Sequence, residues 1–271
     1  MKNNHRMLVS FVVSMLGGLT LAAAQDRVTI PLTDPSQPVV LKASLMNGGI
    51  TVKGSSGKDV VVEARMRAND AGGDSGGRHR IPINTTGLSA EEENNQVEID
   101  VDSMSRTIDL DITVPTRTSL ILHSINNGDI KVTGVTGELD VNNINGEVTL
   151  TDVSGSAVAH ALNGRVLVTF RSVNAGKPMA FSSLNGDIDV TFPADLKAKV
   201  SFKSDRGEVF SDFDIKMTPE ASQPIVEDGH GKSGKYVVKF DKTVRGTING
   251  GGQEIQFTNF QGDIYIRKAG R

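Results

Sequence analysis

A short phrase that recurs along the chain limits what this sequence can fold into. Five copies are Asn-Gly, one variable residue and an apolar-x-apolar run, each after another apolar-x-apolar run, and two further copies have Arg206 and Gln261 in place of the Asn. A unit repeated in this way is usually one supersecondary element that stacks on its neighbours. The structural turn residues predicted from the copies are Asn47, Gly48, Asn127, Gly128, Asn145, Gly146, Asn163, Gly164, Asn185, Gly186, Gly207 and Gly262.

The spacing of the copies predicts an all-β solenoid. Asn127, Asn145 and Asn163 follow one another at intervals of 18 residues, and the next intervals are 22 residues to Asn185 and 21 to Arg206. The flanking segments alternate apolar and polar residues, as β-strands do when one face is buried. We therefore predict a single-stranded β-solenoid with coils of 18–22 residues, in which Asn and Gly turn the chain because both tolerate positive φ.

An antiparallel arrangement is the alternative reading of the same phrase. Asn-Gly between alternating apolar residues is also a strong signal for a type I′ hairpin, and a series of hairpins would give a β-sandwich or meander. In the solenoid reading, segments 96–115 and 235–248 are still expected to form antiparallel hairpins at its ends, and Arg27–Leu41 to cap its start.

The aligned copies predict which side chains point into the solenoid. Three positions before each corner are apolar, for example Leu139, Val141 and Ile144 before Asn145. The third of these positions is Met46, Leu162 and Leu184 in other copies, and Asp205 is its one polar occupant. Before Asn127 the set Leu120, Leu122 and Ile125 fits only with one inserted residue, which predicts a β-bulge there.

The beginning of the chain indicates export. Lys2, His5 and Arg6 precede an apolar run from Met7 to Leu21, followed by Ala22-Ala23-Ala24, which is the pattern of a cleaved signal peptide. We predict a signal peptide over 1–24 and a single solenoid domain over 25–271, with regular coils at about 106–215, a polar loop at about 69–80 and a C-terminal cap at about 234–271. The chain has no Cys, so its stability cannot depend on disulfides.

The repeat resembles a known family. The phrase Ser183-Leu184-Asn185-Gly186-Asp187-Ile188-Asp189-Val190, together with the signal peptide, resembles the bacterial putative-adhesin β-solenoid family over about residues 40–266. The resemblance implies an exported, adhesin-like interaction or structural module without catalytic residues. Its expected partners are an envelope protein or a surface glycan, or further copies of the chain through the solenoid ends. The expected location is the periplasm or the cell surface.

The residues offer little for catalysis or cofactor binding. Asp129, Glu147, Arg165, Asp187 and Glu208 each follow a turn glycine, so the repeat places them in one outer row, which we interpret as a charge-balanced ladder. Catalysis by this row, as in a polysaccharide lyase or hydrolase, is the alternative function. Calcium binding by Asn69–Gly77 is disfavoured by the neighbouring Arg78 and Arg80. We expect no cofactor, no metal, no transmembrane segment after signal cleavage and, at a formal net charge of −3, no nucleic-acid partner.

Overall fold

The chain folds into β-strands that wind around a common axis. The structure, a computed structural model, describes residues 25–67, 86–102, 106–218, 224–228, 236–240 and 243–270. The strands are β1 (Gln25–Ile30), β2 (Val39–Asn47), β3 (Ile50–Ser55), β4 (Val60–Met66), β5 (Leu88–Glu93), β6 (Gln96–Val101), β7 (Ile108–Pro115), β8 (Thr118–Asn126), β9 (Ile130–Thr133), β10 (Thr136–Asn143), β11 (Val148–Asn163), β12 (Val166–Val173), β13 (Met179–Asn185), β14 (Ile188–Phe192), β15 (Ala198–Ser204), β16 (Val209–Ser211), β17 (Ile215–Met217), β18 (Pro224–Asp228), β19 (Tyr236–Phe240), β20 (Val244–Ile248), β21 (Gln253–Gln261) and β22 (Ile264–Lys268). The predicted signal peptide and polar loop lie outside the described residues.

Each Asn-Gly corner joins two strands that lie on different faces of the solenoid. Face 1 contains the strands before the corners, and face 2 contains the strands after them. Along the axis, face 1 runs β5, β6, β2, β8, β10, the second half of β11, β13, β21, β15, β20 and β17. Face 2 runs β1, β4, β7, β3, β9, the first half of β11, β12, β14, β22 and β16.

The parallel pairing between successive copies confirms the predicted solenoid. Strand β10 pairs in parallel with β8 on one side and with β11 on the other, and equivalent residues of the repeats are aligned, as Leu139 is with Leu120 and Ala157. The hairpin alternative is wrong, because the strands that flank a corner pair with neighbouring coils instead of with each other.

The order of coils in space differs from their order in the sequence at both ends. From one end to the other we number the coils 1 (β6, β7), 2 (β2, β3), 3 (β8, β9), 4 (β10, β11), 5 (β11, β12), 6 (β13, β14), 7 (β21, β22) and 8 (β15, β16). Coil 2, the first in the sequence, lies between coils 1 and 3. Coil 7, the last in the sequence, lies between coils 6 and 8.

This order corrects the predicted ends. Segment 96–115 is not a hairpin, since β6 pairs with β5 and β2 whereas β7 pairs with β3 and β4. Segment 235–248 is not one either, because β19 pairs with β18 and β20 pairs with β15 and β17. In the predicted C-terminal cap, β21 and β22 form an internal coil and only β20 lies near the end. In the predicted cap Arg27–Leu41, β1 pairs antiparallel with β4 at the edge of face 2, whereas the first residues of β2 belong to the internal coil 2.

The third predicted interior position is also wrong. Strand side chains alternate, so Leu41, Ala43 and Leu45 point inward, and Met46 points outward with 44% exposure. The true third inward position is two residues before the corner Asn, and it is mostly small or polar. Its occupants are Leu45, Ser124, Asn143, Ala161, Ser183, Ser204 and Asn259.

The core lies between the two faces and becomes aromatic toward coils 5–8. Phe181 is fully buried, and its ring centroid lies 5.4 Å from that of Phe257 and 6.2 Å from that of Phe192. Phe170 and Phe202 extend the cluster. Because the cluster joins coil 6 to both neighbours, it holds the inserted coil 7 in place.

Replacing Phe181 with Ala should lower the free energy of unfolding by about 3–5 kcal/mol, because the change removes a buried ring and leaves a cavity. Urea unfolding followed by circular dichroism measures this. Val158→Ala is the control, since Val158 is 45% exposed on face 1. Similar midpoints for the two variants would contradict the assigned core.

Candidate functional site

The Asn-Gly corners form one continuous ridge along the solenoid. At the predicted turn residues, positive φ occurs at Gly48 (132°), Asn127 (64°), Gly186 (154°) and Gly262 (121°). The other corner asparagines do not have positive φ, so the reason given for them from sequence was wrong. A different constraint applies along the whole ridge, namely how closely successive corners approach each other.

Corner glycines are required because each corner touches the backbone of the next. A Cβ added at Gly164 would lie 2.1 Å from the carbonyl oxygen of Gly146, and one at Gly146 would lie 2.1 Å from that of Gly128. At the far end, a Cβ at Gly207 would lie 1.8 Å from the carbonyl oxygen of Gly262. No real Cβ approaches a carbonyl this closely, so the glycines form a column in which only hydrogen fits.

The asparagines form a ladder of side-chain amides beside the glycine column. Asn185 Nδ2 donates to Asn163 Oδ1 over 2.7 Å, Asn163 Nδ2 to Asn145 Oδ1 over 2.9 Å, and Asn145 Nδ2 to Asn126 Oδ1 over 2.8 Å. The ladder residue in coil 3 is therefore Asn126, and Asn127 is the inserted residue of the β-bulge predicted at this corner. Asn127 Nδ2 still lies 3.4 Å from Asn47 Oδ1.

The inward polar residues tie each corner to the preceding one. Ser183 Oγ donates to the carbonyl of Gly164 over 2.9 Å, and Asn259 Nδ2 donates to that of Gly186 over 3.0 Å. Ser124 donates in the same way to Gly48 over 2.8 Å. Sequence reasoning missed these residues because it placed the inward position one residue too late. The available signal was a small or polar residue two positions before most of the corners.

The predicted outer charged row is present, and two of its carboxylates accept backbone hydrogen bonds. Asp129 Oδ1 accepts from the N–H of Glu147 over 3.0 Å, and Asp187 Oδ1 accepts from the N–H of Asp263 over 2.9 Å. Arg165 pairs with Glu147 at 2.8 Å. Asp129 and Asp187 thus each satisfy a peptide group of the next coil, a role that the repeat alignment did not reveal.

An arginine completes this row where coil 2 has no side chain. Gly49 occupies the row position, and its N–H donates to Asp109 Oδ1 over 2.9 Å. Arg67 donates to both carboxylate oxygens of Asp109 and, over 2.7 Å, to the carbonyl of Asn127 in coil 3. The guanidinium therefore links coil 1 to coil 3 across the glycine.

These contacts set the ionisation of Asp109. Burial opposes the charged form and is the largest single effect, but the hydrogen bonds from Arg67 and Gly49 and the charges of Arg67 and Arg65 outweigh it, so the pKa of Asp109 is lowered. The neutral acid is thus disfavoured in the folded protein.

An apolar row runs beside the amide ladder. One residue before each ladder amide is an outward apolar side chain, and register aligns these side chains across coils 2–7. We call this surface the corner row. It consists of Met46, Ile125, Ile144, Leu162, Leu184 and Phe260, each of which is half-buried or exposed.

The described residues contain little else that suggests a reactive site. Among them, no group of three or more His, Asp or Glu side chains could hold a metal ion. The calcium candidate Asn69–Gly77 lies outside the described residues. His160 is half-buried on face 1, where its Nδ1 lies 2.7 Å from Ser182 Oγ, and burial lowers its pKa. No helix in the described part of the chain is long and apolar enough to span a membrane.

Replacing Gly164 with Ala should destabilise the solenoid by about 1–3 kcal/mol or more, because the methyl group would overlap the carbonyl of Gly146. Gly57→Ala is the control, since a Cβ there meets only the hydroxyl of Ser55. Thermal melting of both variants measures the difference. A Gly164→Ala protein that melts like the control would show that the corners are not closely stacked.

Asp109→Asn should cost about 1–2 kcal/mol of stability at neutral pH, since it removes charge-assisted hydrogen bonds at a partly exposed site. The pKa of Asp109 is lower in the folded than in the unfolded protein, so its contribution is full above an unfolded pKa of about 3.9 and is lost as pH falls below it. Unfolding of wild type and variant from pH 7 to pH 2 should show the difference shrinking. Asp140→Asn, an exposed residue, is the control, and a difference independent of pH would contradict the assignment.

Comparison with known proteins gives a family match. The model of the Toastrack DUF4097 family matches residues 27–250. No curated protein matches the chain. The solved structures that are similar to it include a putative cell adhesion protein and two putative adhesins. A putative cell adhesion protein from Clostridium sporogenes has 13% identity and a TM-score of 0.42, and the alignment covers 90% of this chain and 99% of that one.

The other two structures are more distant. A putative adhesin from Bacteroides fragilis has 12% identity and a TM-score of 0.37, with 93% and 100% coverage of this chain and that one. A putative adhesin from Parabacteroides merdae has 8% identity and a TM-score of 0.28, with 89% and 95% coverage.

Proposed function

Because this chain belongs to the Toastrack DUF4097 family, we propose that it is an exported, adhesin-like module without enzymatic activity that binds another molecule of the cell envelope or surface. The observation that carries this proposal is the corner row. Six consecutive coils present an apolar side chain at the same position, and contiguous exposed apolar surface is typical of interaction sites.

The geometry of the corner row suits an extended partner. Adjacent strands are about 4.8 Å apart, so the row offers one apolar contact per coil at a constant spacing. The amide ladder beside it supplies hydrogen-bonding groups at the same spacing. An extended protein segment or a linear glycan can match such a periodic surface along several coils, with the apolar side chains for affinity and the amides for orientation.

The charged row supports the absence of catalysis. Asp129 and Asp187 use a carboxylate oxygen to accept a peptide N–H from the next coil, and Glu147 pairs with Arg165. A general acid or nucleophile must instead direct its carboxyl group at the substrate. These residues are therefore accounted for by the structure of the ridge.

Two features of the sequence support export. The basic and apolar segment at 1–24 has the pattern of a signal peptide, and the absence of Cys is compatible with folding outside the cytoplasm. We propose the periplasm or the cell surface as the location.

A pull-down from the native envelope fraction tests the proposed function. Residues 25–271 serve as bait, and bound proteins and glycans are identified by mass spectrometry. Leu184→Lys should reduce capture of a saturable partner by about tenfold, because it places a charge in the middle of the apolar row. Val158→Lys, a change at a comparably exposed residue on face 1, should leave capture unchanged.

Asp187→Asn separates the binding role from the enzymatic alternative. The amide retains an oxygen that can accept from the N–H of Asp263, so melting and capture should both be preserved. Recovery of a shortened polysaccharide, with cleavage abolished in Asp187→Asn, would contradict the proposal. Equal capture by Leu184→Lys and wild type would exclude the corner row as the binding surface.

A further inference from the structure

One of the four sheet ends differs from the others. Face 1 ends in β5, antiparallel to β6, and at its other end in β20 and β17, which are also antiparallel to their neighbours. Face 2 begins with the antiparallel strands β4 and β1. Its other end is β16, which is parallel to β22 and pairs with no further strand in the described part of the chain.

The three residues of β16 include no charged side chain. The terminal strand β1 carries Asp26 and Arg27, β5 carries Glu91 and its two neighbouring glutamates, and β17 carries Lys216. Charged residues on an edge strand discourage pairing with another chain. Strand β16 reads Val-Phe-Ser and is exposed throughout, so the strand itself lacks this protection, and the charges that flank it in the sequence are Glu208 and Asp212.

The core is incomplete beneath β16. Val209 is 40% exposed, although the aligned residues Ile264, Ile188 and Val166 in coils 7, 6 and 5 are completely buried. In each of those coils the next coil covers the inward side chain. Coil 8 therefore leaves the inner surface of face 2 uncovered at Val209, although Phe213 beyond the strand is buried.

Coil 8 offers a further strand the same kinds of side chain with which coil 7 binds coil 8. Asp263 Oδ1 of coil 7 accepts the N–H of Glu208 over 2.9 Å, and Glu208, at the same row position, has a carboxylate that accepts no hydrogen bond from the described residues. Phe210 stacks on Tyr265 with centroids 5.2 Å apart and an angle of 11° between the rings. Arg267, two residues along the same strand, lies over Tyr265 at 5.1 Å, so the aromatic ring of Tyr265 contacts both a second ring and a guanidinium.

Backbone groups without a partner among the described residues complete the edge. The carbonyl of Glu208 and the N–H of Asp212 bond to Ile264 and Ile266 of β22. Because alternate residues of a strand direct their peptide groups to opposite edges, the groups of Val209 and Ser211 point away from β22. They are available to another strand.

We propose that β16 is a strand-addition site, which binds an extended segment of a partner polypeptide in parallel orientation. The segment stacks an aromatic or arginine side chain on Phe210, as Phe210 stacks on Tyr265, and donates a backbone N–H to the Glu208 carboxylate, as Glu208 donates to Asp263. This surface is separate from the corner row, so either proposal can fail without the other.

A foreign segment is favoured over a second copy of β16. Two-fold pairing of β16 with itself is antiparallel, and centred on Phe210 it would place Glu208 opposite Asp212 of the other copy. Like charges directly opposite each other across strands are destabilising. A basic or neutral residue at that position in a partner avoids this repulsion.

Binding of a labelled peptide with the sequence of residues 261–268 tests the proposal, because β22 already pairs in parallel with β16. Fluorescence anisotropy with the purified protein should show saturable binding, absent for a scrambled peptide. Phe210→Lys should weaken it about tenfold or more. Met217→Lys, a change at a 53% exposed residue of β17, should not weaken it. No binding, or equal binding by both variants, would overturn the proposal.

Cross-linking tests the orientation of the bound peptide relative to β16. The protein has no Cys, so Val209→Cys provides a single thiol. In parallel register it should form a disulfide with a peptide carrying Cys at the position of Ile264, and much less with Cys at that of Ile266. The reverse preference would indicate antiparallel binding and contradict the parallel assignment. Concentration-dependent dimerisation that is lost in Phe210→Lys would overturn the proposed partner in favour of a second copy of the chain. Binding of an oligosaccharide at Phe210, without binding of the peptide, would overturn it in favour of a glycan.

Discussion

The close approach of successive corners is the constraint on which the rest of the structure depends. Parallel strands on both faces require a spacing of about 4.8 Å between coils, and at the corner the same spacing brings one backbone against the next. Glycine at Gly146 and Gly164 allows this approach. Once the corners are so close, amides, hydroxyls and carboxylates on either side can bond from coil to coil. The ladders are thus consequences of the glycine column.

The order of the coils places the first and the last coil of the sequence inside the solenoid. Coil 2 lies between coils 1 and 3, and coil 7 lies between coils 6 and 8, so the strands of both coils are paired on both sides. A solenoid whose terminal coils came from the terminal residues could fray one coil at a time. Here, release of coil 7 requires separation of the stacked rings of Phe181, Phe257 and Phe202.

Much of this architecture could be predicted from the repeat, because the repeat encodes contacts between neighbouring coils. The alignment of Leu139 with Leu120, the solenoid itself and the outer charged row follow from it. The insertion of coil 7 does not, since Gln261-Gly262 would fit against any corner of similar shape. The third inward position was misassigned because Ile144 and Leu184 are apolar, whereas alternation selects Asn143 and Ser183. Apolar residues at the corner thus mark an exposed row and not the core.

Disulfide trapping tests the coil order most directly. Coil 7 aligns Asp189 with Tyr265 and Tyr265 with Phe210, so residues 189 and 265 are neighbours whereas 189 and 210 are about 9.6 Å apart. A bridge requires Cα atoms within about 7 Å. In a protein without other cysteines, Asp189→Cys with Tyr265→Cys should oxidise to an intramolecular disulfide, and Asp189→Cys with Phe210→Cys should not. A disulfide in the second pair and none in the first would place coil 8 directly on coil 6 and contradict the structure.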